Sequence, residues 1–177
     1  TATLRWNHLF SEKLFMNVSA VYNDYQFQFT GGQDDFSFKL FSGVKDWNLK
    51  VDFEQFPSPN HTIKYGLNYT YHTLTPNTAS ATAGDVAFNT EFKPKYANEV
   101  AVYLMDDMKL GSKWAVNTGL RLSAFQQVGP YTSKLTGEEF GTFEPAKTYG
   151  AIEPRFSLNY KATDNFSIKS GLAWTTQ

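Results

Sequence analysis

The stretch Tyr149–Gln177, YGAIEPRFSLNYKATDNFSIKSGLAWTTQ, decides the fold. In its first arm Ile152, Pro154, Phe156, Leu158 and Tyr160 alternate with Glu153, Arg155, Ser157, Asn159 and Lys161. A period of two is the signature of a strand with one apolar face. The second arm repeats it. Phe166, Ile168, Leu172 and Trp174 share a face with Ser170, while Ser167, Lys169, Gly171, Ala173 and Thr175 take the other. Thr163-Asp164-Asn165 between the arms is a tight polar turn. Charge never interrupts the apolar face.

The same alternation recurs along the chain. Thr1 to Phe10 sets Ala2, Leu4, Trp6 and Phe10 against Thr1, Thr3, Arg5 and Asn7, and stops at Ser11-Glu12-Lys13. Leu14 to Phe29 returns with Leu14, Met16, Val18, Ala20 and Tyr22 on one face, and Gly31-Gly32 marks a turn between Thr30 and Asp35. In Phe36–Phe56 the apolar positions are even at Phe36, Phe38 and Leu40 but odd at Trp47, Leu49, Val51 and Phe53. That switch predicts a bulge, which Gly43 would accommodate. After a turn at Pro57–Asn60, Ile63, Tyr65, Leu67, Tyr69 and Tyr71 oppose Lys64, Gly66, Asn68, Thr70 and His72.

Pro76 to about Lys95 is small, polar and aperiodic, and reads as a long loop. Tyr96–Leu110 reads as a strand with Val100, Val102 and Leu104 on the apolar face, turned by Gly111-Ser112-Lys113. Trp114–Val128 then places Trp114, Val116, Thr118, Leu120, Leu122 and Ala124 opposite Asn117, Gly119, Arg121 and Ser123. This uncharged run matches the roughly 9 to 11 residues with which a tilted strand crosses a bilayer. Gly129–Thr148, with Pro130, Gly137, Gly141 and Pro145, reads as a second long loop. Eight strands and no helix are expected.

Composition narrows the environment. The chain has 177 residues, of which 41% are hydrophobic, too few for a helical membrane protein, and no run approaches the roughly 20 apolar residues of a spanning helix. Negative mean hydropathy still leaves a membrane open, because barrel strands are only half apolar. Aromatics reach 17%, beyond the needs of a core this small, which suggests belts at a membrane interface. A net charge of -1 gives no argument for nucleic acid. Cysteine is absent, so a disulfide scaffold and a thiolate zinc site are excluded.

Turn lengths alternate as well. Ser11–Lys13, Pro57–Asn60, Gly111–Lys113 and Thr163–Asn165 are short, whereas the connections at Thr30, Pro76 and Gly129 are longer. Outer-membrane barrels have short periplasmic turns and longer extracellular loops. Trp6, Phe15, Phe53, Trp114, Tyr160 and Phe166 lie near the short turns, and Tyr22, Tyr71 and Trp174 toward the other end, as two interfacial girdles require. The fold class read from these patterns is all-β, an antiparallel transmembrane barrel of up-and-down strands. Both Thr1 and Gln177 are expected at its extracellular edge. A soluble sandwich or lipocalin-like barrel would also alternate, but would distribute its aromatics for packing rather than near strand ends.

The alternation assigns faces. Leu67, Tyr69, Val116, Leu120, Leu122, Phe156, Leu158 and Ile168 are expected to meet lipid. Lys50, Asp52, Glu54, Lys64, Arg121, Glu153, Arg155 and Lys169 alternate with the apolar band and are expected to face the lumen. A charge turned to lipid would cost about 2 to 4 kcal/mol at midplane. On a lumenal wall the same charges are hydrated, pair with one another, or contact a plug or substrate. Arg121 and Arg155 should be neighbours on one wall of the lumen, with Glu153 supplying part of their counter-charge and plug carboxylates the remainder. No nucleophile–base arrangement or phosphate loop occurs, so neither catalysis nor a cofactor is expected. His8, His61 and His72 have no ligand spacing. The pairs Asp34-Asp35 and Glu138-Glu139 read as solvated loop charge, and Asp106-Asp107 as interfacial.

Four segments resemble a known family. EPRFSLNYKATDNFSIKSGLAWTTQ (153–177), WAVNTGLRLSAF (114–125), TLRWNHLFSEKLFMNVSAVYNDYQF (3–27) and HTIKYGLNYTYH (61–72) are similar to barrel strands of TonB-dependent outer-membrane receptors, especially those of Bacteroidetes. The resemblance covers most strands, in a plausible order. It implies a bacterial outer-membrane barrel of about 22 strands around a plug domain, of which eight strands are roughly a third. It further implies active nutrient import driven through TonB by way of a plug that nothing in this sequence resembles. The implied partners are membrane lipid, the plug, the rest of the barrel and the TonB complex, with room for a surface lipoprotein. A complete eight-stranded barrel serving as an anchor or adhesin stays open beside this reading, as does a soluble ligand-binding barrel.

Overall fold

The computed structural model describes residues 1–33, 35–83, 86–90, 93–133 and 135–176. Asp34 and Gln177 therefore lie outside the described residues. Eleven strands occur among those described: β1 (Ala2–Ser11), β2 (Leu14–Gln33), β3 (Phe36–Ser58), β4 (His61–Ala83), β5 (Val86–Thr90), β6 (Lys95–Leu110), β7 (Trp114–Val128), β8 (Tyr131–Thr132), β9 (Glu139–Phe140), β10 (Pro145–Thr163) and β11 (Phe166–Ala173). The long strands form one antiparallel sheet in the order β1-β2-β3-β4-β6-β7-β10-β11, with β5 pairing β4. Every long neighbour follows its predecessor in sequence, as an up-and-down meander requires. Among the described residues β1 and β11 each pair on one side only, so the sheet stays open.

Register follows the alternation read from the sequence. Leu67 pairs Val102, Val102 pairs Leu122, and Leu122 pairs Ile152, so the apolar positions of four strands share one face. Phe156 and Leu158 oppose Thr118 and Val116, and Ile168 opposes Tyr160, which places the remaining apolar positions on that face. The sheet has no second layer to bury it. Ile152 is 65% and Leu172 77% exposed, while the charged Glu153 on the opposite face is 7% exposed. A soluble sheet protein shows the reverse, because apolar burial against a partner layer drives its folding.

Aromatic pairs edge the apolar band at two heights. Toward the short turns, Trp114 stacks on Tyr160 at 4.2 Å and Phe53 on Tyr65 at 5.1 Å. At the other end, Tyr22 packs on Trp47 at 4.5 Å and Tyr71 on Tyr96 at 6.2 Å. The 129–144 connection adds a member that periodicity did not reveal, since Phe143 reaches Tyr71 at 5.8 Å. The connection folds tightly enough to do this because Gly129 donates to Glu144 O at 2.9 Å and accepts from Phe143 N at 3.2 Å. A Cβ at Gly129 would meet Gly141 O at 2.2 Å. Only glycine fits that approach.

Three expectations about connections need correction. First, the chain turns at neither Thr30 nor Gly31: β2 and β3 run on to Gln33 and Phe36, so this connection is short and the hairpin projects instead. Second, most of the described part of the stretch expected as a loop at Pro76–Lys95 is strand. β4 continues to Ala83 paired with β3, and β5 pairs back on β4. Its Thr, Ser and Ala residues alternate too weakly in polarity to announce a strand, yet the ladder on β3 fixes them. Third, 129–148 contains the β8–β9 pair, and β10 already begins at Pro145.

The bulge expected in β3 is absent as well. β2 and β3 pair without a shift from Leu14↔Gln55 to Gln33↔Phe36, so Phe36, Phe38 and Leu40 share a face with Lys50, Asp52 and Glu54. The irregularity sits on β4. Phe41 pairs Thr78 but Gly43 pairs Thr75, which leaves Pro76-Asn77 opposite Ser42 alone. Proline suits such a site because the bulge asks no ladder donor of it.

Candidate functional site on the charged face

The face opposite the apolar band carries Lys50, Asp52 and Glu54 of β3, Lys64 of β4, Arg121 of β7, Glu153 and Arg155 of β10, and Lys169 of β11. One register row crosses five strands there: Asp52↔Gly66↔Tyr103↔Arg121↔Glu153. Tyr103 lies over Gly66 and donates its hydroxyl hydrogen bond to the Asp52 carboxylate two strands away. A Cβ at Gly66 would meet Val51 O at 2.4 Å and the Tyr103 ring and hydroxyl at 2.9 Å, so this crossing needs glycine.

Two networks of ions divide the face. The lower one joins Lys50 to Asp52 at 3.0 Å, and Lys64 to Asp107 at 3.2 Å and to Glu54 at 3.7 Å. Asn117 donates to the other oxygen of Asp107. The upper one is a ladder across β3, β4, β6, β7 and β10. His72 Nδ1 lies 2.8 Å from Asp46 and its Nε2 3.5 Å from Glu99. Arg121 then lies 3.8 Å from Glu99 and 3.5 Å from Glu153, whose same oxygen is 3.9 Å from Arg155. The backbone N–H of Thr176 also points to Glu153, at 3.4 Å.

Of the eight charged residues expected on this face, the structure gathers Arg121, Glu153 and Arg155 into the upper ladder and Lys50, Asp52, Glu54 and Lys64 into the lower network. Lys169 joins neither among the described residues. Sequence reasoning missed Asp46, His72, Glu99, Tyr103 and Asp107. Apart from Asn117, ten residues from Asp107, their partners lie 20 or more residues away in sequence, so only the register brings them together. Glu99 matters most of these, because it is the second carboxylate beside Arg121. The two guanidinium groups thus find two carboxylates within the sheet itself.

Above the ladder the wall is aromatic at β7 and β10. Phe125 pairs Tyr149, and a cavity of about 840 Å³ lies between these rings, Arg121, Glu153 and Arg155. Lys147 caps the outer side of Tyr149, 5.0 Å from the ring centre. Arg155 stays half-exposed, with donors free for a further partner. The arrangement offers donors and acceptors in alternation but no activated nucleophile. Among the described residues no cluster of His, Asp and Glu has the shape of a metal site. His8 lies between Trp6 and Phe10 on the apolar face, tilted to the first ring and edge-on to the second, and His61 holds Asp106 at 2.8 Å.

The fold has counterparts among known proteins. No curated protein matches the sequence. Among solved structures, the chain is similar to the ferric citrate transporter FecA in its unliganded form, at 16% identity and a TM-score of 0.65. That likeness covers 96% of this chain and 26% of the FecA chain, so the chain spans about a quarter of that protein's length. It shows the architecture of the sheet. The family described as TonB dependent receptor-like, beta-barrel matches residues 1–176. With nearly the whole chain matched, this protein belongs to the TonB-dependent receptor β-barrel family.

Proposed function

We propose that this chain is part of the wall of a larger outer-membrane barrel through which a TonB-dependent receptor imports a nutrient. The observation that carries the reading is the inverted sheet: its apolar face is exposed and unlayered, and its charged face is the half-buried one. Lipid is the solvent that makes such an inversion stable, since backbone groups inside the sheet are satisfied by the ladder and apolar side chains meet acyl chains. The open edges at β1 and β11 favour a segment of a larger barrel over a complete eight-stranded one. The short-turn end is then periplasmic, and Thr1, at the height of Asn23, lies at the extracellular end. The Bacteroidetes-type character and a surface lipoprotein partner rest on the resemblance of the four sequence segments.

In this reading the charged face lines the lumen and a plug domain outside this chain fills it. Arg155, held at 3.9 Å by a carboxylate it shares with Arg121, is the member best placed to pair with the plug or substrate. Hydrated pairs of this kind are individually weak, which suits a plug that must be retained and yet yield. The reaction is transport, without covalent chemistry by this wall. The test is to replace Arg121 and Arg155 by Ala in the full-length receptor and measure membrane insertion and nutrient uptake. Normal insertion with altered plug retention or uptake supports the reading. Unchanged transport reduces the charged face to a hydrated wall.

A further inference from the structure

One register row carries the upper aromatic girdle across β2, β3 and β4: Tyr22↔Trp47↔Tyr71. The same row continues through Asn98 of β6, Gln126 of β7 and Thr148 of β10, where the Gln126 amide donates to the Thr148 hydroxyl at 3.1 Å. The strands themselves therefore break the girdle at β6. Above Tyr22 and Trp47 this face turns polar, with Asp24 of β2 paired to Lys45 of β3 at 3.4 Å. Those charges mark where the apolar band ends.

The 129–144 connection folds back toward this gap. Its Phe143 ring reaches Tyr71 at 5.8 Å, and Tyr71 in turn stacks on Tyr96 at 6.2 Å. Both tyrosines belong to the apolar face, Tyr71 with Leu67 and Tyr69, Tyr96 with Val100 and Val102. Val128 pairs with Tyr96 on that face and is 1% exposed, whereas Leu122, on the same face of the same strand, is exposed. The connection thus lies outward, over the apolar side of the sheet and away from the ion ladder. Phe143 holds its φ at +61°, a conformation that a bulky residue rarely adopts. Its bond to Gly129, and that from the Gly141 N–H to the Glu144 carboxylate at 2.6 Å, keep the backbone there. Backbone held in this way aims a side chain. Yet the aimed ring is 63% exposed, so Tyr71 covers only part of it.

We propose that the 129–144 connection is a bilayer contact, with Phe143 seated in the interfacial layer of the extracellular leaflet where β6 and β7 present amides. The inference rests on the lipid-facing reading above. Continuity selects lipid as the occupant: the ring prolongs the apolar face at the level of the girdle, and aromatic side chains suit that layer. Position excludes the rest of a barrel. β4, β6 and β7 stand in the middle of the sheet, so further strands would join at β1 and β11, and a plug would meet the opposite face. A ring held there takes no part in closing the lumen above Arg121 and Arg155.

The test uses the full-length receptor in phosphatidylcholine nanodiscs, with a fluorophore on one introduced cysteine at a time. This chain has no native cysteine to interfere. Quenching by a lipid that carries a nitroxide just below its headgroup is compared with quenching by aqueous iodide. The lipid nitroxide should quench a label on Phe143→Cys about threefold or more as strongly as one on Gln28→Cys, farther up the same face, and iodide should reverse the order. Thr142→Cys keeps the ring in place and decides the matter if the substitution at Phe143 itself loosens the connection. Quenching of the Thr142→Cys label by iodide alone overturns the proposal, because the connection then stands in water. Protection from both quenchers overturns it too, because protein then covers the ring. Leu122→Cys separates this inference from the reading beneath it. If its label escapes a nitroxide placed midway along the acyl chain, the lipid-facing reading has failed; if lipid quenches it but neither label on the connection, only this inference has.

Discussion

Glu153 is 7% exposed, and its Oε2 sits 3.5 Å from Arg121 and 3.9 Å from Arg155. Removing its charge leaves two guanidinium groups with one carboxylate between them, Glu99, which is far more exposed. Glu153→Gln should therefore destabilise the folded barrel by about 1 to 3 kcal/mol, and Glu99→Gln by clearly less. Urea unfolding of both variants in lipid vesicles checks the order. At Gly66 the constraint is steric. Gly66→Ala drives a methyl into the Tyr103 ring and the Val51 carbonyl, and overpacking of this kind costs about 1 to 3 kcal/mol. Tyr103→Phe removes only the hydrogen bond to Asp52, so Gly66→Ala should lower the unfolding midpoint more than Tyr103→Phe does.

At the scale of strands, the pairing of β10 with β11 was legible from Ile152 onward, although β10 begins earlier, at Pro145. Its alternation fixed the faces, and the observed pairs Phe156↔Leu172 and Tyr160↔Ile168 follow from them with the turn. The β2–β3 hairpin was not, for a physical reason: period tells which residues share a face but not what solvent that face meets. Phe36 and Leu49 occupy opposite faces of one unbroken strand, as the proposed reading expects if the outside changes from lipid to water between them. Assigning both to one apolar face invented a bulge. Likewise the ion ladder needed the register of five strands, and no local pattern encodes that Glu99 will lie beside Arg121. Two predictions belong here. Leu122→Arg should cost about 2 to 4 kcal/mol of folding free energy in vesicles, whereas Arg121→Leu, one residue away on the wetter face, should cost far less. Gly129→Ala should leave the ladder intact but detach the 129–144 connection, seen as faster proteolysis there and lost contact of Phe143 with Tyr71.

At the scale of the whole chain, the long strands form a single curtain in which, among the described residues, only Met16, Ala97, Ala101 and Val128 are buried apolar side chains. What a soluble protein accomplishes by packing two layers, this sheet accomplishes, in the proposed function, by meeting lipid on one side and a charged, hydrated interior on the other. The most direct measurement is spin-label accessibility along β7 in the full-length receptor, one label at a time from Val116 to Ala124, in a bilayer. Val116, Thr118, Leu120, Leu122 and Ala124 should be accessible to oxygen dissolved in lipid and shielded from a water-soluble nickel reagent, with Asn117, Gly119, Arg121 and Ser123 protected from lipid oxygen. A uniform profile, or one with the even positions open to nickel, would contradict the account.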